Sequence, residues 1–486
     1  MAIIIFMAND FVGPQNACIG LAQSLRQHGH RTYFCLRKEF FPRFLSNGFD
    51  EQDLLELKLA TSTTTAAQNN DNKKSLEYLI EKIREFGFVT DLTPLEKVRR
   101  IKQVNLVRTT FEEPLEQLDG QLKNYLEQIH PDLIIYDGEV IPPAILYWPN
   151  CPWIYLFCSN PIGLFDSDRL PPFLSDFHTL KNVNHDGDDQ QPKCWQEFRS
   201  ILDECYYSLV RQAQSRLCRK LSYPDPNDNG WMKKYRFFIQ SPYLNLYQYP
   251  RELDYIDCID ISIERYCRVD SFCRHSKFFN DDNNDDSEQQ RLLLEKITKK
   301  QQQNGSGKLI YLSLGSMGSC NLDLMQRLIG ILSKTKHTYL ISTGMVNDQL
   351  KLDSNMFGQS YLPQIWLFSK LNIDLAIIHG GNNSLCETFE YGIPCLIMPL
   401  FYDQFLNARR VEEKQLGRSI DPFNFDDNQL INLIDQMLND DRLNKKMKII
   451  SQRIQQEDSK SKCCKRLEEI IERFKQNNSN NKKSIV

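Results

Sequence analysis

Asp374-Leu375-Ala376-Ile377-Ile378-His379-Gly380-Gly381-Asn382-Asn383-Ser384-Leu385-Cys386-Glu387, continuing to Pro399, is the stretch that decides the fold. Residues 375–378 are a short apolar run of the kind a buried strand carries. Gly380-Gly381 makes a turn, residues 383–391 read as a short helix, and residues 393–398 as a second strand. Strand, helix and strand in that order form one βαβ unit, whose crossover is right-handed in nearly all known cases. Such a unit implies a parallel sheet with helices over both faces.

Outward from this unit the same alternation recurs. Residues 308–313 form a strand that runs into Leu314-Gly315-Ser316. At the start of the chain, residues 2–7 are a strand, and Cys18, Leu21, Ala22 and Leu25 make a helix stripe at spacings of three and four. Gly29 stands where a helix end takes a left-handed residue, and residues 31–36 return as a strand. Residues 132–136 and 153–158 are further strands. Polar low-complexity runs at 61–75, 182–191 and 280–307 cannot bury enough apolar area to offset chain entropy. The last separates two folding units, and its 291–297 portion has a helical pattern. The expected organisation is an N-terminal Rossmann-like domain over 1–250, a connector over 251–307, a second Rossmann-like domain over 308–450, a C-terminal helix over 451–475 and a disordered tail over 476–486. Met447, Ile450, Ile454, Leu467, Ile470 and Ile471 give the C-terminal region its helical spacing. Two such α/β units leave a cleft at the C-terminal edges of their strands, where ligands of these sheets bind.

Bulk properties agree. A chain of 486 residues holds two or three folding units. With 41% hydrophobic and 25% charged residues it is globular, and a net charge of -4 offers no electrostatic basis for binding nucleic acid. Residues 2–7 are too short, and lack the basic leader, for a secretory signal. No run approaches the roughly 20 apolar residues of a membrane span. A cytoplasmic protein is expected, with its oligomeric state open. The 15 cysteines are scattered without a C-x-x-C pair, and the adjacent Cys463-Cys464 has no ligating partner nearby. Reduced thiols, no disulfide and no metal are expected.

The chemistry begins at the glycine turn. Two glycines let a ligand approach the backbone closely, and the helix that follows presents free amides and a partial positive charge, suited to phosphate. Ser384 and Glu387 also fit an S-x-x-E capping box, a purely structural reading. The surroundings add Tyr361-Leu362-Pro363-Gln364 upstream, then Tyr391-Gly392-Ile393-Pro394, Asp403-Gln404 and Asn407-Ala408 downstream. In this order the elements resemble the donor-binding signature of family 1 UDP-glycosyltransferases, nearest in character to the bacterial, plant and mite type. A weaker likeness runs through Gly13-Pro14-Gln15-Asn16-Ala17-Cys18-Ile19-Gly20, Gly29-His30-Arg31, Pro131-Asp132-Leu133 and Ser313-Leu314-Gly315-Ser316.

The resemblance implies an α/β protein of GT-B fold, two facing Rossmann-like domains with a C-terminal helix crossing back to the first. It implies inverting, metal-independent transfer of a hexose, with glucose expected, from a UDP-sugar to a small lipophilic acceptor, in a detoxification or secondary-metabolite setting and with no cofactor beyond the donor. By this likeness Tyr361 stacks on uracil, Gln364 lies in the same nucleoside segment, and Glu387 accepts from the ribose hydroxyls. His379, Asn383, Ser384 and the backbone at Gly381 cradle the diphosphate, and Ser316 closes the cradle. Asp403 and Gln404 bond the hexose hydroxyls. Asn382 stands where plant members carry tryptophan. Diphosphate is the leaving group, so donors aimed at its developing charge are what the reaction needs. Asp186-Gly187-Asp188 has the spelling of a metal-binding Asp-x-Asp, but no apolar strand leads into it, and it reads as a solvated loop.

One position departs from the family. The histidine that takes the acceptor's proton follows Gly13 there, and here the residue is Pro14. Asp137 matches the aspartate that orients that histidine. General-base help is worth about 10²–10⁴ in rate. Asp10 or Glu139 as base, an acceptor such as a phenol, thiol or amine that needs little help, or a nucleotide-sugar-binding protein without catalysis all accommodate the change. His28 and His30 flank Gly29 at a helix end and read as structural. Phe40, Phe41, Trp148, Trp153, Phe165 and Phe173 are candidates for a lipophilic pocket, although core packing is their commoner role. A lipid or sterol glycosyltransferase is a third reading.

Overall fold

The apolar runs become strands of two parallel sheets. The structure, a computed structural model, describes residues 1–59, 85–165, 167–180, 192–228, 230–232, 238–274, 284–305 and 307–483. The runs 61–75 and 182–191, with Asp186-Gly187-Asp188, lie outside the described residues. The first sheet contains β1 (Ile3–Ala8), β2 (Arg31–Leu36), β3 (Leu54–Glu56), β4 (Leu133–Asp137), β5 (Trp153–Phe157), β6 (Asn245–Gln248) and β7 (Tyr266–Val269), in the order β3-β2-β1-β4-β5-β6-β7. The second contains β8 (Leu309–Ser313), β9 (Thr338–Ser342), β10 (Met356–Gln359), β11 (Leu375–Ile378), β12 (Cys395–Ile397) and β13 (Gly417–Ser419), in the order β10-β9-β8-β11-β12-β13. In each sheet the order reverses once, between β1 and β4 and between β8 and β11. This is the doubly wound pattern, and the pair of domains is the GT-B arrangement.

β7 falls inside the 251–307 stretch read from sequence as connector. It is an edge strand whose Tyr266, Cys267 and Arg268 are only half-buried, so it lacks the continuous apolar run that marks β1 or β4. The helical pattern at 291–297 belongs to a longer helix, Asn284–Gln303.

The C-terminal region is two helices, Asp441–Glu457 and Ser459–Lys483, broken at Asp458, which is left-handed at φ 43°. The second crosses to the first domain. Its Cys463, Cys464, Leu467 and Ile471 are buried with Ile4, Phe6, Cys18, Leu21 and Leu25. Glu468 accepts from His30 at 2.8 Å and from His28 at 3.3 Å, which makes both histidines part of this docking surface. The disorder expected over 476–486 is corrected for residues 476–483, because the helix continues to Lys483, and residues 484–486 lie outside the described residues. Extending an existing helix adds one hydrogen bond for each residue ordered, so a polar end can remain helical without burial.

The helix Val12–Gln27 packs hard against the loop that follows β7. A Cβ on Gly20 would stand 1.9 Å from the Phe272 carbonyl oxygen. Gly20→Ala is therefore expected to lower stability by about 1–3 kcal/mol, read as a lower urea midpoint at unchanged m-value.

Candidate active site

Ligands of doubly wound sheets bind beyond the C-terminal strand ends at the switch point. Here two switch points face each other. The segments after β1 (9–14), β4 (137–139), β8 (314–318) and β11 (379–384) all line one cavity of about 770 Å³ between the domains.

On the second-domain wall stands the helix Asn382–Glu390. Its N-cap is Gly381, and no side chain caps its first turn. The capping-box reading of Ser384 and Glu387 is thereby corrected: Ser384 is already the third helical residue, and Glu387 bonds elsewhere. Gly381, Asn382, Asn383 and Ser384 border the cavity, with Ser316 on the opposing segment. His379 is seated between two glycines. A Cβ on Gly315, at φ +73°, would lie 2.8 Å from the ring's Cε1, and one on Gly381 would lie 2.4 Å from Nε2. Burial pushes the imidazole down to about 4, so it is neutral at pH 7. Among the described residues its Nδ1 has no hydrogen-bond partner.

The residues expected to hold the nucleoside gather beside this helix, and none of Tyr361, Gln364 and Glu387 is among the residues that line the cavity. Tyr361 is 63% exposed. Gln364 Nε2 donates to Glu387 Oε2 at 2.6 Å, and Arg274 Nη1 reaches Glu387 Oε1 at 3.5 Å. Burial lifts the Glu387 carboxyl to about 7. Arg43, from the first domain, lies close enough to Arg274 to feel its charge; burial first, then Arg274, holds its pKa down.

Several motif residues instead join the two domains. Asp403 lines the cavity, yet its Oδ2 accepts from the Asn160 amide at 2.8 Å and from Asn407 Nδ2 at 3.2 Å. Asn382 donates to Gln248 O at 2.8 Å and Ser159 O at 3.3 Å, and Asn383 accepts from Gln248. The expectation that Gln404 meets hexose hydroxyls is not matched by its position. It is buried outside the cavity lining, and its Oε1 accepts from the amides of Leu400 at 2.9 Å and Phe401 at 3.1 Å, because that turn would otherwise leave both amides unbonded.

Much of the remaining wall is apolar, and Phe11, Phe40, Phe88, Phe111, Phe401 and Phe405 are among its residues. Phe88 stacks on Phe401 across the domains at 5.8 Å. Of the aromatic residues singled out from sequence, Phe40 lines this wall, whereas Phe41, Trp148, Trp153, Phe165 and Phe173 pack elsewhere in the core clusters. Lys97 was not anticipated. It is buried, its Nζ donates to Thr90 O at 2.9 Å and to Leu400 O, and burial pushes it down to about 8.

Residues 231–459 match the model of the UDP-glucoronosyl and UDP-glucosyl transferase family. That segment is similar to the UDP-glucosyl and UDP-glucuronosyl transferases. UDP-glucosyltransferase 2 of Dactylopius coccus is 28% identical over 106 residues, covering 22% of this chain and 21% of that protein. A sterol 3-beta-glucosyltransferase of Komagataella phaffii is 28% identical over 162 residues, covering 32% of this chain and 13% of that one. The chain thus spans well under half the length of these curated relatives. A crystal structure of the glycosyltransferase VinC in complex with DTDP aligns with 97% of this chain and 100% of its own, at TM-score 0.60 and 12% identity, a likeness of fold.

Against this family background the first-domain segments carry an unusual set. Pro14 lines the cavity, and so do Asp10, Asp137 and Glu139. Asp10 is largely exposed and ion-paired to Arg37 at 2.9 Å. Asp137 ends β4, buried, with no partner for Oδ2 among the described residues. Burial lifts it from 3.8 to about 8, with the Glu139 charge adding to the rise. The folded protein therefore keeps a proton on Asp137 that the unfolded chain has lost, between pH 4 and 8. Over that window the residue's contribution to stability falls as pH rises. Asp137→Asn should accordingly gain stability relative to the wild type on going from pH 5 to pH 8, measured by urea unfolding at both pH values; a constant difference would place the Asp137 pKa near its ordinary value.

Proposed function

We propose that the protein transfers a hexose, glucose first among them, from a UDP-sugar to a small lipophilic acceptor, with inversion and without a metal ion. The observation that carries this reading is the facing of two switch points on one cavity, with the uncapped helix Asn382–Glu390 starting at its edge. In this reading the helix amides, a neutral His379, Asn383, Ser384 and Ser316 receive the diphosphate, stabilising the charge that develops as it leaves. Tyr361 and Gln364 take the uracil. Glu387 takes the ribose hydroxyls once Arg274 yields its place. Asp403 meets the hexose, and Gln404 acts indirectly by shaping the Leu400–Phe401 turn. The six phenylalanines make the acceptor wall. A cytoplasmic setting suits fifteen free thiols, nearly all buried.

Pro14 supports a second reading, a nucleotide-sugar-binding protein that transfers nothing. UDP release from UDP-glucose, measured with a panel of phenols, thiols and alcohols, separates the two.

Calorimetric titration should show UDP binding to the wild type. Gly381→Ala should weaken it at least about tenfold (~1.4 kcal/mol), because the new methyl group displaces the His379 ring. Absence of UDP binding by the wild type would overturn both readings.

A further inference from the structure

The proposed transferase lacks the family's base, and the cavity holds a different group in a position to serve. We propose that Glu139 is the general base, removing the acceptor hydroxyl's proton, with Tyr206 and Tyr402 fixing its carboxylate. The inference rests on the transferase reading of this cavity.

Four observations carry it. Glu139 lines the cavity together with Pro14 and Asp137. Its Oε1 accepts from Tyr402 at 3.1 Å and from Tyr206 at 3.2 Å, hydroxyls contributed by the second and the first domain respectively, so the carboxylate is complete only when the domains are together. Its other oxygen, Oε2, is buried without a partner among the described residues, and so is Asp137 Oδ2. Two carboxylate oxygens without donors, two residues apart at one strand end beside the cavity, keep hydrogen-bonding capacity that the fold does not use. Finally, the turn that carries Glu139 is held by two more tyrosines: Tyr136 donates to Val140 O at 2.5 Å and Tyr155 to Gly138 O at 3.1 Å. A Cβ on Gly138 would lie 2.3 Å from the Tyr136 hydroxyl, so the turn as it stands takes only glycine there.

The electrostatics suit the role. Burial lifts Glu139 to about 7, against hydrogen bonds from Tyr402 and Tyr206 that lower it. A base with a pKa near the working pH is both ionised in useful amount and able to take a proton. The groups facing it are Tyr136 and Asp137 from β4, Tyr155 from β5, Tyr206 from the segment Asp203–Tyr207, and Tyr402 from the turn after β12. Burial raises all four tyrosines, so they stay protonated. Asp137, raised by burial further than Glu139, to about 8, is mostly protonated at pH 7. In the transfer the acceptor O–H proton passes to the Glu139 carboxylate as the acceptor oxygen bonds to the anomeric carbon. The bond from that carbon to the diphosphate oxygen breaks, and its electron pair leaves with UDP. Glu139 then gives the proton to water.

The test uses the full chain with UDP-glucose and two acceptors, an alkyl alcohol and a nitrophenol, with UDP release followed from pH 5 to 9. Wild-type kcat/KM for the alcohol should rise with pH through an inflexion near 7. Glu139→Gln should lose about 10²–10⁴-fold with the alcohol, lose the inflexion, and lose far less with the nitrophenol, which ionises unaided. UDP affinity by calorimetry should stay within twofold. Tyr402→Phe should move the inflexion to higher pH, because it deletes a hydrogen bond that favours the ionised form. Glu139→Asp, in case the glutamine variant does not fold, should keep the inflexion at a reduced rate. A Glu139→Gln enzyme with unchanged rate and inflexion overturns the proposal and leaves the transferase reading standing. A wild type that binds UDP yet transfers to neither acceptor overturns both.

Discussion

The hydrogen bonds around Asn160 determine where the rest of the site stands. Its backbone amide donates to Asp403, and its side-chain amide donates to Tyr249, Tyr255 and Asn407, the last at 2.8 Å. Asn407 in turn donates to Gly380 O at 2.8 Å, which holds the glycine turn from behind. One buried cluster therefore clamps the domains and sets the height of the glycine turn. Parting the domains would strip these groups of partners unless water entered, and buried polar groups left unpaired are costly. Arg410 reinforces the clamp from the next helical turn, donating to Leu253 O at 2.7 Å and Asp254 O at 2.6 Å and lying over the Tyr255 ring at 4.5 Å.

This double use of motif residues explains an apparent conflict. Asp403 and Asn382 belong to the stretch read as donor-binding, yet both spend hydrogen bonds on the first domain. A donor bound here would touch the same side chains that keep the cleft shut, so binding and domain closure are energetically linked. Arg274 on Glu387 acts similarly at Gln364 and Tyr361, where a cation holds the place that the proposed reading gives to two ribose hydroxyls.

Much of the architecture was legible because its signals are local. The strands at 31–36 and 375–378 match their apolar runs residue for residue, and Gly29 and Gly380 are left-handed where turns were expected. The half-buried edge strand β7 was not legible, since it lacks a continuous apolar run. The donor-side loops could be read because several spaced motif elements agree, and their placement around one cavity follows from the two strand orders. Lys97, Asn160 and Tyr206 escaped notice for a different reason. Their partners lie hundreds of residues away, at Leu400, Asp403 and Tyr402, and nothing in the neighbouring sequence announces such contacts. Asn160 left a faint trace, as a polar residue just beyond a wholly buried strand.

The break at Asp458 has a mechanical consequence. The chain passes between the domains twice, once between Val269 and Leu309 and again where the Asp441–Glu457 helix gives way to Ser459–Lys483. Any opening of the cleft would have to turn about the line through both ties, and would first have to break the buried bonds of Asn160 to Asp403 and Asn407.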